Sequence, residues 1–276
     1  MDHRTRLLGV VVLLGWASLA TAAPQHVLVE KKTESGTVVG YRDTPFQPWT
    51  GDKYRVHDPD RPIPKHVVPG RPSTPEKAGS APSDAIVLFD GTDLSKWQAS
   101  TWKVEDGSVE AGEGSLVTRE AFGDCQLHVE WMAPTEPPQR LTSRGNSGVI
   151  VMGQYEIQIW DSHPSHAEQI YPDGQAASIY GQTPPRVNAC LPPGQWQSFD
   201  VLFTAPVFEG EKLVKPAFVT MCHNGVLVHL NQQIMGPMAH CQIVPYAPHP
   251  AKLSLELQGH GSPVRFRNVW IRPLDE

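Results

Sequence analysis

The chain has little of what nucleic-acid or membrane partners require. Its 276 residues carry 23 Lys and Arg against 29 Asp and Glu, a net charge of −6. A surface of that sign repels phosphate backbones and anionic lipids. Past the first two dozen residues no stretch approaches the ~20 consecutive apolar residues of a membrane-spanning helix. Cysteine is scarce: Cys125, Cys190, Cys222 and Cys241 are the four present, and their spacing fits no zinc-ligand pattern. Amphipathic periodicity of the helical kind is missing too, which removes bundles and α/β folds from consideration.

What is present divides into three parts. Met1–Ala23 reads as a secretory signal, with Arg4 and Arg6 ahead of the apolar run Leu7–Leu14 and small residues at Ala20–Ala23. Its removal takes away Arg4, Arg6 and Asp2 and leaves −7. Export to the periplasm or the cell exterior is expected, where an even number of cysteines allows a disulfide. Residues 24–83 form an extended Pro-rich arm, with Pro45, Pro48, Pro59, Pro62, Pro64, Pro69, Pro72 and Pro75 breaking regular elements. Tyr41, Phe46, Trp49 and Tyr54 punctuate the arm and are read as anchors on the main domain or a partner subunit, while Gly70–Ser83 reads as a flexible linker. Residues 84–276 alternate short strand-like runs with turn signals. Asn224-Gly225 marks a type I′ hairpin between Phe218–His223 and Val226–Leu230. That pattern predicts an all-β, jelly-roll sandwich of two antiparallel sheets, with a closed barrel as the competing arrangement.

The most informative stretch is Arg144–Asp161. A turn, Arg144-Gly145-Asn146-Ser147-Gly148, has two glycines suited to positive φ and leads into the apolar run Val149–Met152. Tyr155, Ile157 and Ile159 then alternate with Glu156, Gln158 and Trp160, so one strand face is apolar and the other carries a carboxylate, an amide and an indole. Gln126, His128 and Glu130 alternate likewise with Leu127, Val129 and Trp131, and Ser254, Glu256 and Gln258 with Leu253, Leu255 and Leu257. Were the three strands neighbours, their polar faces and His260 would merge into a carbohydrate site, since sugars need many hydrogen-bonding groups and a flat apolar platform. The plainer alternative is a set of solvated sheet faces. Two long connections flank this region. Ser162–Pro193 is expected to wall the site, whereas His240, Cys241 and His249 in Gln232–Ala251 read as ordinary loop residues.

Leu88-Phe89-Asp90-Gly91, Arg144-Gly145-Asn146-Ser147-Gly148, Tyr155-Glu156-Ile157-Gln158-Ile159, Asp173-Gly174-Gln175, Ile179-Tyr180-Gly181-Gln182, Leu257-Gln258-Gly259-His260-Gly261 and Phe266-Arg267-Asn268-Val269-Trp270 occur in that order. Together they resemble the 3-keto-disaccharide hydrolase family over roughly residues 84–276. Gly259 departs from that family, in which Asp is common at this point. The resemblance implies a concanavalin-like or lectin-like sandwich. It also implies a reaction in which a ketone at C3 of a sugar acidifies the C2 proton, a base removes it, the C1 substituent leaves by β-elimination, and water adds back. Such chemistry needs a base, an electrophile for the enolate oxygen and an acid for the leaving group. Glu156, Arg144 and His260 offer a set for it. Asn146, Gln158, Trp160, Glu130, Asp173, Gln175, Glu256 and Gln258 are the candidate substrate contacts. Asp161 either orients Arg144 or holds a divalent cation such as calcium with Asp173. A lectin-like module that binds carbohydrate without turning it over is the alternative on the same face. The sequence leaves the oligomeric state and the particular sugar open.

Overall fold

The computed structural model of the chain describes residues 26–33, 36–136 and 143–274, and the expected export segment lies outside them. Among the described residues no helix is long and apolar enough to cross a membrane. Two compact units divide at His66/Val67.

The first unit is more ordered than an extended arm. β1 (Leu28–Thr33) pairs antiparallel with β2 (Gly36–Tyr41). Asp60 ties the hairpin to the prolines that follow, through Lys31 at 2.9 Å and Arg42 at 2.6 Å. Its rings find cations within the unit: Arg55 lies 3.8 Å from the Phe46 ring centre, and Arg61 stands over Tyr54. The prolines fall in the turns after β2, which is why they do not stop the hairpin forming.

The second unit is a β-sandwich. Its strands are β3 (Ile86–Phe89), β4 (Lys103–Glu105), β5 (Ser108–Glu110), β6 (Leu116–Phe122), β7 (Cys125–Met132), β8 (Ser147–Val151) and β9 (Tyr155–Ile159). After a long connection come β10 (Gln197–Thr204), β11 (Val207–Glu209), β12 (Lys212–Lys215), β13 (Phe218–His223), β14 (Val226–Gln233), β15 (Leu253–Leu257) and β16 (Arg265–Pro273). One sheet runs β14-β13-β10-β7-β16-β5-β4 with β3 beside β16, and the other runs β6-β15-β8-β9; every pairing is antiparallel. Two sheets with separate edges rule out the closed barrel.

Alternation supplies the core. Leu127, Val129 and Trp131 of β7 and Phe199, Val201 and Phe203 of β10 face Val149, Val151, Tyr155, Ile157, Ile159, Leu255 and Leu257 of the smaller sheet, all of them buried. Tyr155 and Phe203 meet across the layer with ring centres 5.8 Å apart. The indole Nε1 of Trp97 donates to the Leu88 carbonyl at 2.7 Å, so this fully buried ring keeps its polar atom satisfied. Asn224 and Gly225 take φ of 51° and 75°, as a type I′ hairpin demands.

Three expectations are corrected by the topology. β7 lies in the larger sheet while β9 and β15 share the smaller one, so Glu130 stands on the opposite outer face from Glu156 and Glu256. Alternation fixes which side of a sheet a residue faces, not which sheet its strand joins. The four cysteines form no disulfide among the described residues. Cys125 points into the core from β7, Cys222 points out of the larger sheet from β13, and Cys190 and Cys241 sit in different loops. Gly70–Ser83, read as a flexible linker, is held down: Arg71 and Ser80 form a bridge, and Arg267 donates to the carbonyls of Thr74 at 2.7 Å and Pro75 at 3.2 Å.

Beneath that strap lies a closed polar cluster. The Glu130 carboxylate accepts from Arg267 Nε at 2.6 Å, from Asn268 Nδ2 at 2.7 Å and from the Ser73 hydroxyl, and His128 bridges it to Asp200. Burial alone would raise the Glu130 pKa, but hydrogen bonds from His128, Ser73, Asn268 and Arg267 outweigh it and bring it down to about 2. Burial lowers that of His128, and Asp200 and Glu130 reverse this to about 9. The Glu130 contribution is therefore fully present above its unfolded pKa and is lost as pH falls through about 2; that of His128 is present below pH 6.5 and lost as pH rises through about 9. Glu130→Ala leaves Arg267 buried without its carboxylate and is expected to destabilise the domain by roughly 3–5 kcal/mol in urea unfolding. A loss below about 0.5 kcal/mol, the usual range of a surface substitution, would show the cluster to be solvated.

Candidate functional site

The outer face of the smaller sheet carries the candidate site, and strand register sets its layout. β9 would be an edge strand, but residues 177–180 of the following connection pair with it: Gln158 N donates to Ser178 O at 2.9 Å, Ala177 N to Gln158 O at 2.8 Å, and Tyr180 N to Glu156 O at 3.1 Å. Ile157 and Ile179 are bridge partners, so Tyr180 stands directly across from Glu156 on the same face. The register continues through Ile150 of β8 to Glu256 of β15, giving one row of Tyr180, Glu156, Ile150 and Glu256. The next row is Ser178, Gln158, Gly148 and Gln258.

Gly148 explains how Glu156 fits. Although it lies in a turn-like sequence, it does not adopt positive φ; of the two turn glycines only Gly145 does, at 64°. A Cβ on Gly148 would overlap the Glu156 carboxylate and lie 2.9 Å from its Cγ. The glycine is therefore a gap in the sheet face, and the glutamate leans into it. Glu156 is 5% exposed, and among the described residues nothing donates a hydrogen bond to its carboxylate. Burial pushes its pKa up to about 7, with no opposing cation.

Beside it, Gln158 donates to Asn146 Oδ1 at 3.1 Å, and Asn146 Nδ2 donates to His260 Nδ1 at 3.3 Å. This joins the turn before β8, the middle of β9 and the turn after β15. The Gln158 Oε1 atom is buried and has no donor among the described residues. Gly259 next to His260 has no room for a side chain, because a Cβ there would run into the carbonyls of Gly112 and Gly114.

Other expected residues are placed differently. Arg144 is a brace: its Nε donates to Asp161 O at 3.0 Å and its Nη2 to Glu168 O at 2.9 Å, linking the turn to the loop after β9. Asp161 pairs through its side chain with His166 at 2.6 Å, and it meets Arg144 only through main-chain atoms. Among the described residues no group of three or more His, Cys, Asp or Glu side chains gathers to hold a metal, and Asp161 and Asp173 form no such centre. Trp160, expected as an exposed platform, is 3% exposed, and its Nε1 has no partner among the described residues. The connection that follows it folds back over this end of the sheet. Gln175 sits in that connection, its N–H bonded to Pro172 O at 3.4 Å.

The two long loops meet at a place not anticipated. Met235 N donates to Gln182 Oε1 at 2.7 Å and Gln182 Nε2 to Gly236 O at 3.0 Å. Tyr180 OH and His240 Nδ1 lie 2.8 Å apart, Tyr171 OH is 3.3 Å from Tyr180 OH, and Cys241 Sγ is 3.3 Å from His240 Nε2. Tyr171, Asp173, Tyr180, His240, Cys241 and Ile243 line a pocket of about 340 Å³. The alternation Ala177, Ser178, Ile179, Tyr180 was the available signal that this loop runs as a strand.

The sequence profile of the 3-keto-alpha-glucoside-1,2-lyase-like domain matches residues 84–272. The chain belongs to that family. A 3-keto-disaccharide hydrolase of Bacteroides thetaiotaomicron is 23% identical over 235 residues, spanning 69% of this chain and 78% of that protein. A crystal structure of a candidate glycosyl hydrolase from Parabacteroides distasonis superposes with a TM-score of 0.71 at 36% identity, covering 78% of this chain and 93% of the other. Another from the same organism has the same fold at 23% identity, with a TM-score of 0.53 over 69% of this chain and 99% of its own. Glu156 and Gln158 lie within the matched residues.

The raised pKa of Glu156 makes a stability prediction. The folded lyase-like domain binds this proton more tightly than the unfolded chain, so between about pH 4.5 and 7 stability falls as pH rises. Glu156→Gln removes that penalty. The variant should melt at nearly the wild-type temperature at pH 4.5 and progressively higher than wild type up to pH 8, a difference on the order of 3 kcal/mol at most. A melting difference that stays constant over this range would mean the carboxylate is solvated. Gly148→Ala should displace Glu156 and lower its pKa toward 4.5, observable by carboxyl NMR titration.

Proposed function

We propose that this domain cleaves 3-keto-glycosides, disaccharides among them, with Glu156 as the base that removes the proton from C2. The observation that carries the reading is a buried carboxyl with a pKa of about 7 and no hydrogen-bond donor among the described residues, set on a polar sheet face. A structural glutamate buried to this degree is normally paired, as Glu130 is on the other face. An unpaired one poised near neutral pH is suited to general-base work.

A C3 ketone makes the C2 proton acidic enough for such a base. Removing it gives an enolate, which expels the C1 oxygen; addition of water then completes a net hydrolysis. Asn146, held by Gln158, and the exposed His260 are the polar groups offered to the sugar. Arg144 ties the Asn146 turn to the loop after β9 through its bonds to the Asp161 and Glu168 carbonyls. Membership of the family and the name of the Bacteroides relative support the substrate class. Export, as the Met1–Ala23 segment suggests, is part of the same proposal.

A 3-keto-disaccharide and its unoxidised parent distinguish the mechanisms. Glu156→Gln should reduce kcat on the 3-keto substrate by about 100-fold to 10,000-fold with little change in affinity. Deuterium at C2 should slow the wild-type enzyme when abstraction limits the rate. The rate should rise with pH through about 7, since the base acts ionised. Equal turnover of the unoxidised disaccharide would overturn the elimination route, and binding of both sugars without turnover would make the face a lectin-like site.

A further inference from the structure

The elimination that Glu156 would begin needs a proton for the departing oxygen, and strand pairing sets a tyrosine directly across from that glutamate. C2 and C1 are adjacent carbons, so the acid must stand beside the base. Tyr180 occupies Glu156's own row, with Cβ atoms about 5 Å apart as in any directly opposed pair. His260 is in the turn beyond β15, reached from β9 only through Asn146 and Gln158. The Tyr180 hydroxyl is held by His240 at 2.8 Å and Tyr171 at 3.3 Å, and His240 is exposed, which gives the pair a route to solvent protons. The pocket of about 340 Å³ borders Tyr180, and Glu156 is not among its lining residues.

We propose that Tyr180 donates the proton to the leaving oxygen, and that the pocket lined by Tyr171, Asp173, His240 and Ile243 receives the leaving alcohol, which in a disaccharide is the second sugar. This rests on Glu156 being the C2 base. In the step, the Glu156 carboxylate takes the C2 proton and the C–H electron pair forms the enolate with the C3 ketone. Collapse of the enolate makes the C1–C2 double bond and releases the C1–O pair to the departing oxygen, which takes the Tyr180 proton. His240 passes a solvent proton to the phenolate. Water then adds across C1–C2: its oxygen bonds C1, Glu156 returns its proton to C2, and the water proton released goes to solvent in place of the one His240 took up, so no oxidant or reductant is consumed. Burial, followed by Tyr171, Glu156 and Cys241, keeps the phenol protonated well above neutral pH.

Leaving-group dependence tests this. Nitrophenolate departs without protonation, whereas a sugar alkoxide does not. Tyr180→Phe should lower kcat/KM on a 3-keto-disaccharide by about 100-fold to 10,000-fold, yet stay within about threefold of wild type on p-nitrophenyl 3-keto-glucoside. The second rate also reports that the variant is folded. Glu156→Gln should fall on both substrates. A parallel loss on both by Tyr180→Phe would assign the tyrosine to positioning and overturn the proposal, as would an unchanged disaccharide rate. If Tyr180→Phe separates the two substrates while Glu156→Gln keeps both rates, the base assignment fails and the acid stands. A wild-type protein inactive on both removes both.

Discussion

The site depends on the backbone ladder between β9 and residues 177–180. Without it, β9 would be an edge strand exposing a row of N–H and C=O groups to water. The added segment closes that edge and sets Tyr180 across from Glu156 in a single geometric step. The second loop contributes less backbone pairing and more side-chain contact, through Gln182 and His240.

The two outer faces of the sandwich show how the same residue types reach opposite ends. Glu130 and Glu156 are both buried, on strands of similar pattern. Glu130 is surrounded by donors and a guanidinium, and its pKa goes down to about 2. Glu156 meets a glycine gap and a hydrophobic neighbour, Ile150, and its pKa goes up to about 7. Partners, more than burial itself, decide whether a carboxylate serves as a structural anchor or keeps reactivity. The first holds the Ser73–Pro75 strap against the larger sheet; the second has no donor among the described residues of the smaller one.

Much of this domain was legible from alternation alone. Period-two patterns located β7, β9 and β15 within a residue of their ends, because burying one face of a strand leaves its imprint on every second residue, and the hairpin reading gave β13 with its ends. Asn224-Gly225 announced its turn for an equally local reason. Glu156 and Gln158 were recognisable as polar residues opposite an apolar face, and Asn146 and His260 came with the motifs around them. The short strands β5, β11 and β12 carry too few residues for the pattern to speak, and β1 and β2 were obscured by the prolines that follow.

What the sequence determined by itself was therefore the class of fold, the family and the identity of the central strand. The tertiary structure alone decided that Glu130 and Glu156 lie on opposite sheets, that Trp160 is covered, that Arg144 braces a loop, and that Gly148 makes room for a carboxylate. It alone brought Tyr180 to Glu156 and His240 to Tyr180. The physical reason is one of range. Side-chain alternation is set by each strand's own backbone, whereas sheet order, long-loop docking and the desolvation of a particular carboxylate come from contacts between residues far apart in the chain, such as Asn146 with His260 or Tyr180 with His240.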